Sequence, residues 1–208
     1  MAERNDRKTI SLAFTGASGA QYGLRLLEEL LRQGHRVYLM MSKPAQVVIG
    51  MDTDLKLPGR PREIQRFFES RYDCQPGQLS VFDKEEWTAP VASGTGAADA
   101  MVICPCTSGT LGAIASGISD NLIHRAADVA LKERKPLLVV LRETPYSAIH
   151  LENMLKLTHA GATIMPSNPG FYTRPQSIDD LVDFMVGKIL DQLGLEHDLV
   201  PRWGSDHN

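Results

Sequence analysis

The 208-residue sequence predicts an α/β fold, a Rossmann-like (flavodoxin-like) three-layer sandwich with a mostly parallel sheet. Two observations predict this fold class. Short apolar runs alternate along the chain with segments whose apolar residues recur at helical spacing. The apolar runs also lack the two-residue alternation of a sheet with one solvated face, so we expect helices to cover both faces.

Six apolar runs are the predicted strands, and the segments between them are predicted helices. In the first helical segment Leu26, Leu27, Leu30 and Leu31 share one face, and Gly34 ends the helix. The predicted strands are residues 10–14, 37–41, 79–82, 101–104, 137–141 and 162–165. The predicted helices are residues 22–31, 45–50, 63–70, 111–116, 122–133, 148–159 and 177–193, with loops at 52–62 and 84–98.

Length and composition predict one domain over residues 1–208, with a core at about 9–193 and a C-terminal tail at 194–208. Hydrophobic residues make up 43% and charged residues 23%, which suits a buried core. The net charge is −3 with both signs interspersed, so we expect no nucleic-acid partner. The charged start lacks the apolar region of a signal peptide, and no apolar run reaches the ~18 residues of a membrane span.

Cysteine usage favours the reducing cytoplasm, because three cysteines do not form a disulfide framework. Cys104 is interpreted as a buried strand end and Cys106 as part of the following loop. Three acids at residues 179–183 spell DDxxD, but Ser177 before them is a predicted N-cap. Those acids therefore fit the first turn of a helix, and we expect no metal site.

A glycine-containing loop follows the first predicted strand at residues 15–20. Gly16 and Gly19 let backbone amides approach an anion, and the following helix offers its positive end. The spacing matches neither GxGxxG nor the nucleoside-triphosphate loop, which leaves a mononucleotide phosphate or a plain tight turn.

Other polar residues follow the second, fourth and fifth predicted strands, and their carboxyl ends meet at one edge of a parallel sheet. They form a predicted pocket, although Thr107 or Ser108 could instead cap a helix. Arg142 beside Glu143 could hold a phosphate and move a proton, or form a surface ion pair. These strand-end residues are Ser42, Thr107, Ser108, Gly109, Thr110, Arg142 and Glu143.

Several further residues could face a ligand. Arg125 and Lys132 are seven apart on one predicted helix, where a solvated face is the ordinary alternative. Trp87 and Trp203 lie outside any core pattern, so each could contact a ligand or a partner chain, or simply anchor its loop.

Six segments closely resemble the UbiX flavin prenyltransferase family, across about residues 10–204. The family attaches a dimethylallyl group to FMN, and the prenylated flavin serves a UbiD-type decarboxylase in pathways that include ubiquinone biosynthesis. The segments are residues 15–19 (TGASG), 104–106 (CPC), 121–132 with its Arg125, 142–145 (RETP), 150–154 (HLENM) and 169–172 (PGFY).

The resemblance implies a flavoprotein that acts as a metal-independent transferase on reduced FMN and dimethylallyl phosphate, assembled as a dodecamer. The residues implied to bind FMN are Gly16, Ala17, Ser18, Ser42, Thr107, Ser108, Gly109, Thr110 and Arg142. Those implied to hold the donor's phosphate or isoprenoid group are Arg125, Lys132, Glu143, Tyr172, Lys188, Trp87 and Trp203. The implied catalytic residues are Ser18, Asp52, Glu143 and Lys132.

Two positions depart from the family's pattern. Asp52 stands where glutamate is usual, which shortens the reach of its carboxylate by one methylene. Lys188 stands where arginine can occur, so a bidentate grip on phosphate is lost.

Two other functions fit the same fold class. An FMN-dependent decarboxylase of the cysteine-decarboxylase superfamily would need a catalytic histidine, and His124 is the best candidate, although we expect it to pack on its helix. A flavin carrier without catalytic activity would not need Glu143 among clustered basic residues.

Overall fold

The computed structural model describes residues 7–201, and its strands are the predicted apolar runs with slightly different ends. The strands are β1 (Thr9–Phe14), β2 (Arg36–Met41), β3 (Leu79–Phe82), β4 (Ala100–Cys106), β5 (Leu137–Leu141) and β6 (Thr163–Pro166). The α-helices of this part of the chain are α1 (Ala20–Arg32), α2 (Lys43–Asp52), α3 (Pro61–Arg71), α4 (Ser108–Ala115), α5 (Leu122–Lys132), α6 (Ala148–His159) and α7 (Ile178–Leu193).

The strands form one sheet in the order β3-β2-β1-β4-β5-β6, and every neighbouring pair is parallel. The predicted Rossmann-like α/β fold is therefore confirmed, and this is the strand order of the doubly wound Rossmann sheet. The chain winds outward from β1 in one direction and from β4 in the other. A crevice accordingly opens between the carboxyl ends of β1 and β4.

Two apolar layers cover the sheet, as the strand composition predicts. Ile10, Leu12 and Phe14 of β1 belong to a core that includes α1, α3 and α7. Ala13 faces the opposite layer, which contains residues of α4, α5 and α6. Successive side chains of a strand point to opposite faces, so both faces of this sheet are buried.

The carboxyl end of β4 differs from the prediction. Cys106, which we expected in a loop, is a fully buried strand residue, and Cys104 is buried as expected. The carbonyl of Cys106 accepts a hydrogen bond from the amide of Arg142, which extends the pairing of β4 with β5. The strand is therefore longer than its apolar run, because its neighbours continue the hydrogen bonding through Pro105.

The described part of the predicted tail is also different, because it packs on the core. Leu195 is buried, and Leu199 and Val200 contact the same apolar cluster as α7. The core thus extends beyond residue 193. Trp203 lies outside the described residues. No helix between residues 7 and 201 is long and apolar enough to cross a membrane.

Helix α1 lies unusually close to the sheet because of Gly23. A Cβ at this position would lie 2.3 Å from the carbonyl oxygen of Cys104 and 2.5 Å from Phe14 Cε1. Gly50 in α2 is also helical, but the nearest atom to a Cβ there is 3.8 Å away, so it has room. The two glycines form a matched pair for testing packing.

We expect Gly23→Ala to lower the free energy of unfolding by about 1–3 kcal/mol, because α1 must move away from β1 and β4. Gly50→Ala should leave stability unchanged or raise it by up to about 1 kcal/mol, since alanine favours the helix. Urea unfolding of both variants measures the difference. Equal effects in the two variants would contradict this packing explanation.

Candidate functional site

The predicted strand-end residues come together at one edge of the sheet. The amide of Ser42 donates to the carbonyl of Phe14 (3.0 Å), which joins the end of β2 to the end of β1. On the other side, the amide of Arg142 donates to the carbonyl of Cys106 (3.1 Å), which joins β5 to β4. Four adjacent strand ends thus carry the polar loops, as the sequence predicts.

Thr15 connects the two loops that border the crevice. Its hydroxyl donates to the carbonyl of Pro105 (2.9 Å) and accepts from the amide of Thr107 (2.8 Å). Its own amide also donates to Pro105 (3.1 Å), and the residue is only 3% exposed. Thr15 belongs to the predicted anion-binding loop at residues 15–20, but no role of its own is predicted for it from the sequence, although a hydroxyl residue directly after an apolar strand is a visible signal.

Asp52 occupies the amino end of α1. Its carboxylate accepts hydrogen bonds from the amides of Gly19 (2.6 Å) and Ala20 (3.2 Å) and from the hydroxyl of Ser18 (3.0 Å). The prediction that this helix end receives a ligand anion therefore needs correction, because a side chain already fills it. Ser18 and Asp52, both predicted catalytic residues, are in direct contact.

The amino end of α4 has its first amides available. Thr107 caps the helix by accepting from the amide of Thr110 (3.1 Å), so the ordinary capping interpretation holds for this residue. The cap leaves the preceding amides of Ser108 and Gly109 unused. A Cβ on Gly109 would have no atom closer than 4.0 Å, so this part of the loop is open. An anion at this helix end would meet two amides and a favourable dipole.

Glu143 is held beside this helix end. The amide of Thr144 and the hydroxyl of Ser108 each donate to its carboxylate (both 3.1 Å). These two bonds hold the pKa of Glu143 below its usual range, and the bond from the Thr144 amide has the larger effect. The group is therefore an anion at neutral pH. Arg142 and Glu143 form no salt bridge with each other, so the surface ion pair is not what is observed. Arg142 is an exposed residue directly after β5.

Lys132 lies near the amino ends of the strands, opposite the crevice at their carboxyl ends. It is the last residue of α5, which runs from the crevice side to the opposite side of the sheet, and β5 begins five residues later. Its ammonium pairs with Glu133 beside Gly94, before the start of β4. One chain therefore does not bring Lys132 to Arg142 and Glu143, and its predicted role requires a second copy.

Arg125 also lies on α5 and not in the crevice. The guanidinium of Arg125 donates to the carbonyl of Ala92 (3.0 Å) and pairs with Asp128 (2.7 Å). Trp87 belongs to the loop between β3 and β4 and is 48% exposed. Arg125 and Lys132 thus share one helix, away from the crevice of their own chain.

Tyr172 and Lys188 are linked through one aromatic ring. The ring of Tyr172 meets Phe184 edge to face, with centroids 5.6 Å apart. The Lys188 ammonium lies 5.9 Å from the centroid of the same Phe184 ring. Both residues are about half exposed. They therefore form a half-exposed aromatic and cationic surface on α7 and the loop before it.

His124 is part of a helix cap, as expected. Its Nδ1 lies 2.7 Å from an Asp120 oxygen and 3.0 Å from the Asn121 amide nitrogen. Its backbone amide donates to the Asn121 side chain, which caps α5. The ring is thus engaged at the helix end.

The most spacious groove among those identified lies elsewhere, beside the edge strand β3. It has a volume of about 830 Å³ and is lined by Arg60, Arg62 and Arg66 among others. It contains none of the predicted site residues. We give more weight to the strand-end crevice, because hydrogen bonds position its polar groups and it lies at the switch in strand order. No cluster of three His, Cys, Asp or Glu side chains suited to a metal is found within residues 7–201.

Comparison with known proteins agrees with the fold. The flavin prenyltransferase UbiX of Pseudomonas aeruginosa is 56% identical over 198 residues, or 95% of each chain. A UbiX structure in complex with FMN and dimethylallyl pyrophosphate is 42% identical, with a TM-score of 0.84 over 96% of this chain and 98% of that one. A dodecameric FMN-dependent UbiX-like decarboxylase from Escherichia coli O157:H7 is 37% identical, with a TM-score of 0.81 over 95% of this chain and 100% of that one.

A doubly wound sheet with polar loops at its switch point defines a nucleotide-binding α/β protein, and residues 1–190 match the Flavoprotein family. Within that class, the chain belongs to the UbiX flavin prenyltransferase family. The resemblance seen in the sequence is therefore confirmed.

Replacing Thr15 tests the connection between the two loops. Thr15→Val keeps the side-chain volume but removes the hydroxyl, which leaves the buried amide of Thr107 without its acceptor. We expect a loss of about 1–3 kcal/mol in the free energy of unfolding. Thr15→Ser keeps the hydroxyl and should lose less. Urea unfolding measures both, and equal losses would show that the methyl group, not the hydroxyl, is what matters.

Proposed function

We propose that this protein is a flavin prenyltransferase that transfers the dimethylallyl group of dimethylallyl phosphate to N5 and C6 of reduced FMN. The observation that carries the proposal is 56% identity, over 95% of both chains, to a relative with this activity in its name. The hydrogen-bonded crevice at the ends of β2, β1, β4 and β5 supplies the physical support. FMN is consumed as a substrate in this reaction.

The donor groups of the crevice fit a flavin mononucleotide. Ser108 and Gly109 offer unused amides at the start of α4, and Arg142 is an exposed residue directly after β5. These groups suit a phosphate dianion, and the end of α1 does not, because Asp52 fills it with negative charge. Gly16 lets the loop pack closely against the start of α2, because a Cβ there would lie 2.4 Å from Pro44 Cβ.

The residues assigned to the flavin's reactive edge are Ser18 and Asp52. Their contact gives a hydroxyl whose proton points at a carboxylate, an arrangement that can receive and pass on a proton. Reduced FMN supplies the N5 electron pair that forms the bond to C1 of the donor, while the C1–O bond breaks, phosphate leaves and N5 gives up its proton. Ring closure adds a proton to the alkene at C2 of the prenyl chain, bonds C6 to C3 and removes the proton of C6. Asp52 through Ser18 is the proposed acceptor of a proton released by the flavin.

The donor's phosphate requires cations that can take up its departing charge. Lys188 and Tyr172 lie on one surface, and Lys132 and Arg125 on another. We propose that these surfaces meet the crevice of neighbouring copies, so that Lys132 stabilises the leaving dianion. Glu143 is anionic, so it can accept a hydrogen bond or a proton from the phosphate. Trp87 and Trp203 would present electron-rich faces to the allylic carbon.

An assembly of this kind fits the surface of α6. Ile149, Leu151 and Leu155 are each more than half exposed, while Leu157 is the helix's one buried residue. Leu151 and Leu155 are one turn apart on the same face of the helix, and neighbouring exposed apolar side chains favour a protein interface. A UbiX-like structure from E. coli is a dodecamer, and we propose the same assembly here. The three free cysteines suit a cytoplasmic protein that delivers prenylated FMN to a UbiD-type decarboxylase, for ubiquinone synthesis or another pathway.

The transfer reaction is tested with purified protein, reduced FMN and dimethylallyl phosphate, with the pyrophosphate in a parallel reaction. We expect the extracted flavin to gain one dimethylallyl group by mass spectrometry, and the monophosphate to be the better donor. Glu143→Gln should retain FMN but lose turnover, which separates catalysis from carriage. An unchanged flavin mass in every reaction would refute the proposal.

An FMN-dependent decarboxylase is the second candidate, because the E. coli structure carries that description. A histidine acting on substrate would support it, but His124 is bonded at the start of α5. Release of carbon dioxide from a cysteine peptide or an aromatic acid, with the flavin mass unchanged, would favour the decarboxylase.

Sharing of the site between copies is tested with two inactive variants. Lys132→Ala and Arg142→Ala should each reduce turnover, by about tenfold or more, since each removes a charge from the transition state. Co-expression with different affinity tags gives mixed assemblies in which some sites keep both residues. We expect these assemblies to regain part of the activity. Mixed assemblies no more active than their parents would show that the two residues do not act at a shared interface.

A further inference from the structure

The chain reverses after α7 and returns along that helix. Gly194 adopts a left-handed conformation (φ 63°) that ends the helix, and the amide of Leu195 donates to the carbonyl of Leu190 (3.0 Å). Leu195 is buried, and Leu199 and Val200 pack on the core. Residues 194–200 are therefore a fixed part of the fold, termed here the return segment.

Gly187 allows the return segment to pack closely against α7. It is buried in α7, and a Cβ there would lie 2.9 Å from His197 Cε1 and 3.1 Å from Val200 Cγ2. Any larger residue would therefore push the imidazole away from the helix. The ring lies against the backbone of the residue that directly precedes Lys188.

From this position, His197 forms a hydrogen bond with Asp191. Its Nε2 lies 3.2 Å from Asp191 Oδ1, and its side chain is 9% exposed. The Nδ1 atom is buried without a partner, so the bond to Asp191 is the polar contact that orients the ring. A carboxylate accepts, so Nε2 carries the hydrogen in this bond.

Asp191 in turn contacts Lys188 with its other oxygen. The distance between Asp191 Oδ2 and Lys188 Nζ is 3.5 Å, and the two residues are one helical turn apart. Lysine is a point charge on a flexible stem, and it does not have the planar fork that pre-organises arginine. An ammonium that must meet a phosphate at one place therefore gains from a partner that limits its movement.

We propose that Asp191, anchored by His197, is a positioning residue that holds the Lys188 ammonium for the phosphate of the allylic donor. The inference rests on the proposed function, because it takes Lys188 as a ligand of that phosphate. Asp191 does not itself touch the substrate in this arrangement. Its second oxygen is engaged by His197, which keeps the carboxylate on the helix surface and out of the phosphate's place.

The test compares the kinetics of Asp191→Asn with those of Glu196→Gln, an exposed acid of the return segment that makes the same change in charge. Asp191→Asn should raise the KM for dimethylallyl phosphate roughly two- to fivefold, the range of a half-exposed ion pair, with a smaller effect on kcat. The Kd for FMN should be unchanged. Glu196→Gln should have the KM of the parent enzyme.

The anchor is tested at His197. His197→Leu removes the donor and should raise the KM for the allylic donor as Asp191→Asn does. His197→Gln keeps an N–H group and should recover most of that loss. Loss of FMN affinity in either variant would indicate a general disturbance of the fold and would overturn the positioning role.

A double-mutant cycle with Lys188→Met decides whether Asp191 acts through Lys188. We expect Asp191→Asn to add nothing in the Lys188→Met background. An equal rise in KM in both backgrounds, or a KM that falls in Asp191→Asn, would overturn the inference while prenyl transfer stands. Failure of the unmodified protein to prenylate FMN would instead refute the proposed function.

Discussion

The hydroxyl of Thr15 is the contact on which the crevice depends. Proline at position 105 has no amide hydrogen, so the end of β4 cannot donate to β1 by the usual ladder at that point. Thr15 replaces the missing pairing by donating to the carbonyl of Pro105 and accepting from the amide of Thr107. This buried bridge sets the distance between the loop that precedes α1 and the loop that precedes α4. A ligand between the two loops therefore meets a rigid frame.

The two helices that begin at this frame have opposite electrostatic roles. Two amides at the start of α1, those of Gly19 and Ala20, are bonded to Asp52, so that end already holds a carboxylate and carries a hydroxyl–carboxylate pair. The start of α4 keeps the amides of Ser108 and Gly109 for a ligand. In the proposed reaction, phosphate binding and proton transfer would therefore take place on opposite sides of the crevice. A redox or transfer substrate as long as FMN can span both ends.

The crevice of one chain holds only part of the set of cations assigned to the proposed reaction. Arg142 belongs to the crevice, whereas Lys132 stands near the amino ends of the strands and Lys188 on the outer face of α7. The exposed apolar side chains of α6 supply a reason for copies to associate. A site divided among subunits would couple assembly to activity. The return segment adds a local device, since it braces the helix that presents Lys188.

Periodicity and capping are local, and the sequence by itself determined what depends on them: six strands, the helices between them, the polar strand ends and the Ser177 cap of α7. The sequence also determined the family, because different motifs of that family are distributed along most of the chain. Only the tertiary structure decided the strand order, the bridge from Thr15 to a loop 90 residues away and the closure of α1 by Asp52, 33 residues from Gly19. It likewise decided that Lys132 lies away from Arg142. Such contacts join residues far apart in the chain, and no local pattern encodes which distant partners meet.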